Sequence, residues 1–432
     1  MKLGKFAIVL AAVILTAGVA WAGGKAESSA QSGPVNLVFR QGDPPDETKG
    51  LFAVIDAYNK QQNKIQVKAE TVPWSDALNQ YIREAQAGGG PDVTQIAFVW
   101  TKDLASSGTL VNLDPFIKKS PPGAGIDDFL GTDLGVYKGS VYGIPWTVDT
   151  FVMAYRPDLF QKAGITSFPD TWDEFFQAAK KLTVDKNGDG KIDQYGFGFP
   201  AGSAPGGGMW FLVNYYLWSN GKTFVEQGSD GKWQVGVTPK DVQAAMDYFN
   251  KFFTDGVSPK SLIGVNSWGD PELTGGLARG DFAISFFPPY TFRAAETQSS
   301  VPLATAPDPR GSVRRVSHLG GRTLTINTNT KYPDQSWEFL KFLLSAEAFK
   351  GYRQFPAQKS LLKELKFPPS EQGYADQLPN AITFKQYIDS PAQTNSMWEA
   401  TNREFAAVYS GQKTSAQASV DLVNQMKSFL TK

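Results

Sequence analysis

In the first quarter of the chain, short apolar stretches alternate with segments of helical periodicity. A strand at 34–43 precedes a segment in which Phe52, Ile55 and Tyr58 recur at the spacing of one helix face. The alternating stretch IQVKAETVP, the helical stretch SDALNQYIREAQAGG and the apolar stretch DVTQIAFVW follow in that order. This β-α-β-α-β order predicts a parallel sheet covered by helices, and hence an α/β fold.

Later helices carry clear start and stop signals. The sequence TWDE, beginning at Thr171, is a capping box before the helical run FFQAAKKL. Thr238 caps a second helix that Gly256 ends, and Pro333 opens a long third one. The stretches GDFAISFF and GRTLTINTN predict two more strands, and the C-terminal part of the chain is helical in pattern. The α/β pattern therefore continues through most of the chain.

Length and composition restrict the classes of protein. A chain of 432 residues exceeds the ~250–300 residues of a single core, so two domains or lobes are expected. Lys plus Arg equals Asp plus Glu at 42 each, which favours neither nucleic acid nor an anionic membrane. There is no cysteine, which excludes disulfides, thiol catalysis and zinc–thiolate sites. Eleven tryptophans with a single histidine, His318, fit binding by ring faces better than proton transfer.

The N-terminus predicts export. Residues 1–22 combine the basic stretch MKLGK, an apolar stretch and the small-x-small sequence that ends at Ala22, where we expect a signal peptide to be cleaved. The apolar stretch is shorter than the ~20 residues of a membrane-spanning helix. Residues 23–34 predict a flexible N-terminus. Because there is no cysteine for a lipid anchor, we expect an unanchored protein confined to a periplasm, with no membrane insertion.

Four stretches of the chain, taken in order, resemble the extracellular solute-binding proteins of ABC importers, in the sugar-binding group that includes maltose-binding protein. That family has the type II periplasmic-binding-protein fold, with two α/β lobes, each a sheet flanked by helices, and the ligand in a cleft at the hinge between them. The resemblance implies closure of the lobes around a sugar. The four stretches are 88–116, 141–165, 168–182 and 318–345.

The resemblance also implies how the chain is divided between the lobes. We expect the first lobe to comprise 35–147 plus 323–358, and the second lobe to comprise 148–322 plus 375–432. The stretch VYGIPWTVDTFVMAYR spans one boundary, and its first half has site-like residues whereas its second half, FVMAY, is core-like. In the family a strand at this place crosses between the lobes.

That crossing strand supplies two candidate ligand contacts. We expect strand pairing to end at Pro145, and Trp146 and Asp149 to lie on the floor of the cleft. Asp149 is the preferred hydroxyl acceptor, because the family has a carboxylate at the matching position. Trp146 corresponds to a position that is aromatic in only some members.

A sugar site needs rings and polar groups together. A pyranose has apolar C–H faces, which aromatic rings cover, and a rim of hydroxyls, which carboxylates, arginine and asparagine bind. Trp100 and Asp103 follow the third strand, where the resemblance places a tryptophan and an aspartate that touch sugar. The alternative is that Trp100 packs under the loop and Asp103 caps the next helix. Further candidates at strand ends and in loops are Asp43, Trp74, Trp210, Trp268, Phe287, Tyr290, Gly321, Arg322 and Trp398.

Several of these candidates have structural alternatives. Asp43 could be a simple turn carboxylate, and Trp74 a hydrophobic staple at a helix start. Arg322 could form a salt bridge that holds the lobes together, and the same alternative applies to Arg353. Trp398 could lie on a buried helix face.

The loop DKNGDGKIDQYG predicts a structural calcium site away from the cleft. Its polar residues match the spacing of a Ca²⁺-binding loop, except that Gly196 occupies the position of the bidentate glutamate. The alternative is a tight loop held by Asx-turns. The predicted ligands are Asp185, Asn187, Asp189, Asp193 and, through its backbone carbonyl, Lys191.

Taken together, the sequence predicts a monomeric, non-enzymatic receptor that captures a mono- or oligosaccharide and delivers it to the permease of an ABC importer, with no required cofactor and no nucleic-acid partner. One alternative is a secreted carbohydrate-active enzyme, in which two of Asp43, Asp103 and Asp149 would act as the carboxylate pair. The other alternative is a binding protein for a non-sugar solute such as a polyamine.

Overall fold

The computed structural model describes residues 33–43, 45–204 and 207–431, except for the side chains of 45–47, 74 and 75. The predicted signal peptide and most of the predicted flexible N-terminus lie outside the described residues. None of the helices in the described part of the chain has both the length and the apolar character needed to cross a bilayer.

Sixteen strands are present in the described residues, and ten of them form two main sheets. They are β1 Val35–Gln41, β2 Ile65–Thr71, β3 Val93–Ala97, β4 Val136–Tyr137, β5 Ser140–Val141, β6 Ile144–Asp149, β7 Val152–Tyr155, β8 Tyr195–Gly198, β9 Val225–Gln227, β10 Trp233–Val235, β11 Phe282–Phe287, β12 Ala304–Ala306, β13 Ser317–His318, β14 Gly320–Ile326, β15 Phe355–Pro356 and β16 Ala381–Ile382.

Helices cover the sheets. In the same described ranges they are α1 Pro45–Gln61, α2 Trp74–Gln86, α3 Thr101–Ser106, α4 Asp114–Lys119, α5 Pro157–Lys162, α6 Trp172–Lys181, α7 Met209–Ser219, α8 Pro239–Thr254, α9 Pro271–Arg279, α10 Pro289–Gln298, α11 Pro333–Leu343, α12 Ala346–Gly351, α13 Lys359–Glu364, α14 Gln372–Gln377, α15 Lys385–Asp389, α16 Thr394–Tyr409 and α17 Ser415–Leu430. The capping box predicted at Thr171 is confirmed at the start of α6, and the cap predicted at Thr238 is confirmed at the start of α8, where it is also a capping box.

The first lobe is built on a six-stranded sheet with the order β15-β6-β14-β3-β1-β2. β1 pairs in parallel with β2 and β3, which confirms the predicted β-α-β-α-β unit. β14 pairs antiparallel with β3, and β6 pairs antiparallel with β14, so β6 runs in the same direction as β1 and β3. The carboxyl ends of β1 and β3 therefore meet β6 and β14 at one edge of the lobe, where loops from several strands converge.

The second lobe is built on a four-stranded sheet with the order β12-β7-β11-β8. All six residues of β11 are buried, as expected for a strand with helices on both faces. The α8 face that includes Val242, Met246, Phe249 and Phe253 is buried as well. Most of the large aromatic contacts, such as Phe175 on Phe197 with centroids 5.0 Å apart, lie in this lobe. The α/β fold class predicted from sequence is confirmed.

The lobes are connected by short crossings of the chain. Only Thr150 and Phe151 separate β6 in the first sheet from β7 in the second. The first sheet holds β6 through Asp149 and β14 from Gly320, beyond the boundaries expected at 147/148 and 322/323. The assignment of the other segments to lobes stays a prediction.

Pro145 does not end strand pairing, contrary to expectation. It lies opposite Thr323 of β14, next to a register irregularity, and pairing continues to Asp149. A proline is tolerated there because β15, the other neighbour of β6, pairs only with Thr147 and Val148. The bend comes after Asp149, so the whole of β6 belongs to the first sheet.

Candidate functional site

A cavity of about 820 Å³ lies between the two lobes. Its volume is in the range of small-molecule sites. Residues at strand ends of the first lobe form one side, and rings of the second lobe form the other. Of the residues predicted from sequence, the cavity is lined by Asp43, Trp100, Asp103, Asp149, Trp210, Trp268, Tyr290, Gly321, Arg322 and Trp398.

Arg322 and Asp43 form a buried ion pair on the first-lobe side of the cavity. Nε and Nη2 of Arg322 both lie 2.8 Å from Oδ1 of Asp43. Gln95 donates to the other oxygen of Asp43, and the backbone N–H of Asp43 donates to Oε1 of Gln41 over 2.5 Å. Burial would lower the pKa of Arg322, but the charges of Asp43 and Asp149 outweigh it and raise that pKa. Both partners belong to the first lobe, so the pair does not hold the lobes together.

Asp149 presents a carboxylate to the cavity at the end of β6. Its Oδ2 lies 3.6 Å from Nη1 of Arg322 and its Oδ1 lies 3.7 Å from Nε2 of His318. Burial alone would raise the pKa of Asp149, but the contact with His318 and the charge of Arg322 hold it below its ordinary value. The side chain is 31% exposed. Asp149 is therefore an ionised acceptor that a ligand can reach.

Two glycines of β14 make room for this carboxylate. A Cβ on Gly320 would lie 2.2 Å from Oδ1 of Asp149. Gly321 has a φ of +150°, and a Cβ there would lie 2.2 Å from the carbonyl oxygen of Thr147. Any larger residue would push β14 away from β6. Gly321 thus lines the cavity, as predicted, and shapes the strand pair as well.

Aromatic rings from the second lobe form an apolar wall. Phe151 contacts Phe211 and Trp268, with ring centroids 4.5 Å and 4.7 Å apart, and Phe211 contacts Trp398 edge-on at 5.3 Å. Nε1 of Trp398 donates to the carbonyl oxygen of Gly207 over 2.7 Å, which fixes the ring. The partly exposed members of this wall can stack on an apolar ligand face.

The indole of Trp268 is held by a neighbouring cavity residue. Its Nε1 donates to the hydroxyl of Tyr290, the first strongly exposed ring after β11. Trp210 lies deeper, is almost fully buried, and stacks behind Trp398 with centroids 6.1 Å apart. Trp210 thus supports the wall more than it faces the cavity.

The cavity lining also includes residues absent from the set predicted from sequence, among them Phe151, Phe211 and His318. Phe151 sits in a run expected to be core, and Phe211 follows directly after Met209-Trp210 with no signal of its own. His318 stands two residues before the glycine pair at Gly320, which is the one local signal that could have marked it. Helix α7 brings Phe211 to His318, with ring centroids 4.6 Å apart.

Two predicted ligand contacts are wrong. Trp146 is 1% exposed, stacks on Tyr352 at 5.1 Å, and donates through Nε1 to the carbonyl oxygen of Leu343 over 2.9 Å. It packs on the side of the first sheet opposite the cavity. Phe287 is fully buried inside β11 and does not line the cavity, whereas the next three residues do.

Two further candidates from the sequence are Trp74 and Arg353. Trp74 begins α2, and its side chain lies outside the described part of the structure. Arg353 lies outside the cavity lining and pairs instead with Glu371 and, at 3.6 Å, with Glu296. Of the two interpretations given for Arg353, a ligand contact or a salt bridge, the structure shows the salt bridge.

The predicted calcium loop is held by its own side chains. Oδ1 and Oδ2 of Asp185 accept from the backbone N–H groups of Gly188 and Gly190 over 2.7 Å and 2.8 Å. Oδ1 of Asn187 and Oδ1 of Asp189 accept in the same way two residues ahead. Across the described ranges, no group of three or more Asp, Glu or His side chains is arranged to hold a metal ion. Calcium binding here stays a prediction, and Asx-turns account for the observed loop.

Comparison with known proteins gives consistent results. The family described as bacterial extracellular solute-binding protein matches residues 42–348. A galactooligosaccharide-binding protein of Bacillus subtilis is 22% identical over 427 residues, 97% of this chain and 96% of that protein. The maltodextrin-binding protein MdxE of the same organism is 23% identical over 389 residues, with 85% and 84% covered.

Solved structures show the same fold. The sugar-binding protein MalE of Xanthomonas citri has a TM-score of 0.74 at 20% identity, covering 92% of this chain and 98% of that one. A cyclo/maltodextrin-binding protein complexed with maltotetraose has a TM-score of 0.72 at 21% identity, with the same coverage. With its two lobes, the cavity between them and a match over most of its length, this chain belongs to the family of bacterial extracellular solute-binding proteins.

Proposed function

We propose that this protein captures a mono- or oligosaccharide between its lobes and delivers it to the permease of an ABC importer. The observation that carries the proposal is the pairing of an aromatic wall on one lobe with a charged, hydroxyl-binding floor on the other. Partly exposed rings such as Trp268 and Trp398 cover the C–H face of a pyranose, while Asp149 accepts from its hydroxyls. The named relatives bind galactooligosaccharide and maltodextrin.

Two of the three carboxylates that line the cavity, Asp43 and Asp149, argue for binding rather than hydrolysis. A glycosidase needs one carboxylic acid whose pKa is raised enough to donate a proton. The pKa of Asp149 is instead lowered, and Asp43 is paired with Arg322. Asp308 does have a raised pKa, caused by burial, but it does not line the cavity. The expected outcome is reversible capture with no chemical change in the sugar.

The ion pair between Arg322 and Asp43 argues against a polyamine as the ligand. A polycation would be bound by carboxylates that have no cationic partner of their own in the protein. Arg322 lies between Asp43 and Asp149 and offsets much of their charge. A neutral ligand with hydroxyls fits this arrangement better.

Delivery of the sugar to the permease depends on closure of the two lobes. A ligand that contacts both lobes stabilises the closed form, and a permease that binds only this form recognises the loaded receptor. We infer export of an unanchored monomer to the periplasm as the setting, consistent with the extracellular family to which the chain belongs.

A thermal-shift screen tests the proposal. The mature protein, purified without a histidine tag, is melted with glucose, maltose, maltotriose, galactobiose or N,N′-diacetylchitobiose, and with spermidine as the control. At least one sugar should raise the Tm by mass action, and chromatography should recover that sugar unchanged. A shift with spermidine alone, or conversion of the sugar to products, would contradict the proposal.

A further inference from the structure

His318, the only histidine of the chain, is largely buried but lines the wall of the cavity. It ends β13, two residues before Gly320, and is packed edge-on against Phe151 with ring centroids 5.0 Å apart. Its Nδ1 faces the lobe interior and its Nε2 faces Asp149. Each ring nitrogen therefore has a separate environment.

The contact with Tyr215 fixes which nitrogen carries the proton. The hydroxyl of Tyr215 lies 2.5 Å from Nδ1 of His318 and accepts the backbone N–H of Phe151 over 3.3 Å. Its other neighbour, Oγ1 of Thr150, is 3.4 Å away, so the hydroxyl proton goes to Nδ1. Burial raises the pKa of Tyr215 well above its ordinary value, which keeps that proton on the hydroxyl. Nδ1 is then an acceptor, and the imidazole carries its proton on Nε2.

The Nε2–H group and Asp149 stand side by side without bonding each other. Their separation of 3.7 Å exceeds a hydrogen bond. Gly320 lies opposite both, and a Cβ there would come within 3.0 Å of Nε2 and 2.2 Å of Oδ1 of Asp149. The lack of a side chain on Gly320 thus leaves room for the carboxylate beside the imidazole, and both residues line the cavity.

We propose that His318 is a ligand-binding residue, and that its Nε2–H and the carboxylate of Asp149 together bind two neighbouring hydroxyls of a sugar ring. One hydroxyl accepts from His318 while the next donates to Asp149, which a vicinal diol satisfies and a deoxygenated ring does not. The inference rests on the proposed function and specifies the chemistry that the site selects. Tyr215 is a positioning residue, since it acts only through the tautomer of His318.

Calorimetric titration tests whether His318 binds the ligand. Maltotriose, galactobiose and N,N′-diacetylchitobiose are each titrated into the wild-type protein, His318→Leu and His318→Gln. His318→Leu, which removes the donor, should weaken binding of the sugar that binds the wild type by about tenfold or more. His318→Gln, which keeps an N–H donor on a side chain of similar reach, should restore most of the loss. The ligand-free His318→Leu protein should melt at a lower temperature, because the buried hydroxyl of Tyr215 loses its acceptor, so affinities are compared well below that Tm.

Nitrogen NMR of the imidazole gives a second readout that does not depend on a variant that folds. Because the untagged protein has one histidine, its spectrum contains one pair of ring nitrogens. A proton on Nε2, a bare Nδ1, and a shift of the Nε2 signal on addition of the bound sugar are the expected results.

These experiments distinguish a failure of the role proposed for His318 from a failure of the proposed function. Wild-type affinity in His318→Leu, or a proton on Nδ1, would overturn the role of His318 and leave the receptor proposal standing. If none of the three sugars binds the wild-type protein, the proposed function fails and this inference fails with it.

Discussion

Individual side chains decide the chemistry of the cleft through their partners. Asp43 and Asp149 are both carboxylates beside Arg322, yet Asp43 is bound on both oxygens whereas Asp149 remains 31% exposed. The resemblance already favoured Asp149 as the hydroxyl acceptor, but the physical reason for that preference depends on Gln95 and His318. These two residues come from other strands and reach the site only through the fold.

Asp149→Asn is expected to weaken sugar binding by roughly ten- to a hundredfold, because a charged acceptor is replaced by a neutral amide. The Tm of the ligand-free protein should change little, since Arg322 keeps Asp43 as its partner. Titration calorimetry measures the first effect and thermal melting the second. Asp230→Asn, at an exposed carboxylate far along the chain, serves as the control and should bind like the wild type.

Asp308→Asn is expected to stabilise the protein at neutral pH but not in acid. Neither carboxylate oxygen of Asp308 has a partner among the described residues, and burial raises its pKa well above the ordinary value, which Arg315 offsets only in part. The native state therefore holds a proton that the unfolded state has lost, so stability falls as pH rises above the unfolded pKa. Urea unfolding at about pH 8 and about pH 4 tests this, since the unfolded pKa is about 3.9. An equal effect at both pH values would be evidence against it.

At the scale of elements, hydrophobic periodicity and helix-capping sequences predicted several strands and helices correctly. The β-α-β-α-β unit, the capping box at Thr171 and the cap at Thr238 follow from local patterns, and the structure has them. Trp146 and Asp149 are three positions apart in β6, so the alternation of a strand puts them on opposite faces. The structure agrees, since Thr147 and Asp149 line the cavity and Trp146 does not. Phe211 and His318, by contrast, meet only because α7 packs against β13, which no local pattern encodes.

Trp146→Ala is accordingly expected to act on stability. Loss of a buried indole that contacts Tyr352 and Phe39 should lower the free energy of unfolding by about 3–5 kcal/mol. Urea denaturation provides the measurement, and sugar affinity of the folded fraction should stay near that of the wild type. A large loss of sugar affinity without a loss of stability would instead indicate that Trp146 contacts the ligand.

At the scale of the whole molecule, an ion cluster connects the lobes away from the cavity. Glu371, which is fully buried, accepts from Nε and Nη2 of Arg293 in α10 over 3.0 Å and 2.9 Å. It also pairs with Arg353, which lies two residues before β15 of the first sheet. The cluster therefore joins α10 to the segment that leads into β15.

Glu371→Gln should remove the shared anion and leave two guanidinium groups side by side. We expect the free energy of unfolding to fall by about 3 kcal/mol, the scale for breaking a buried pair. Glu296→Gln, which loses only the contact of 3.6 Å to Arg353, is the matched control and should lose less than half of that. Chemical denaturation of both variants decides the point, and equal losses would mean that the buried position of Glu371 is unimportant.

The central claim is that a sugar binds between the lobes and leaves unchanged. Titration of maltotriose and galactobiose into the mature wild-type protein and into Asp149→Asn, followed by chromatography of the recovered sugar, tests it most directly. The account predicts one site per chain for at least one of these sugars, much weaker binding to Asp149→Asn, and full recovery of intact sugar. Binding that is equal in both proteins, or sugar that returns cleaved, would contradict it.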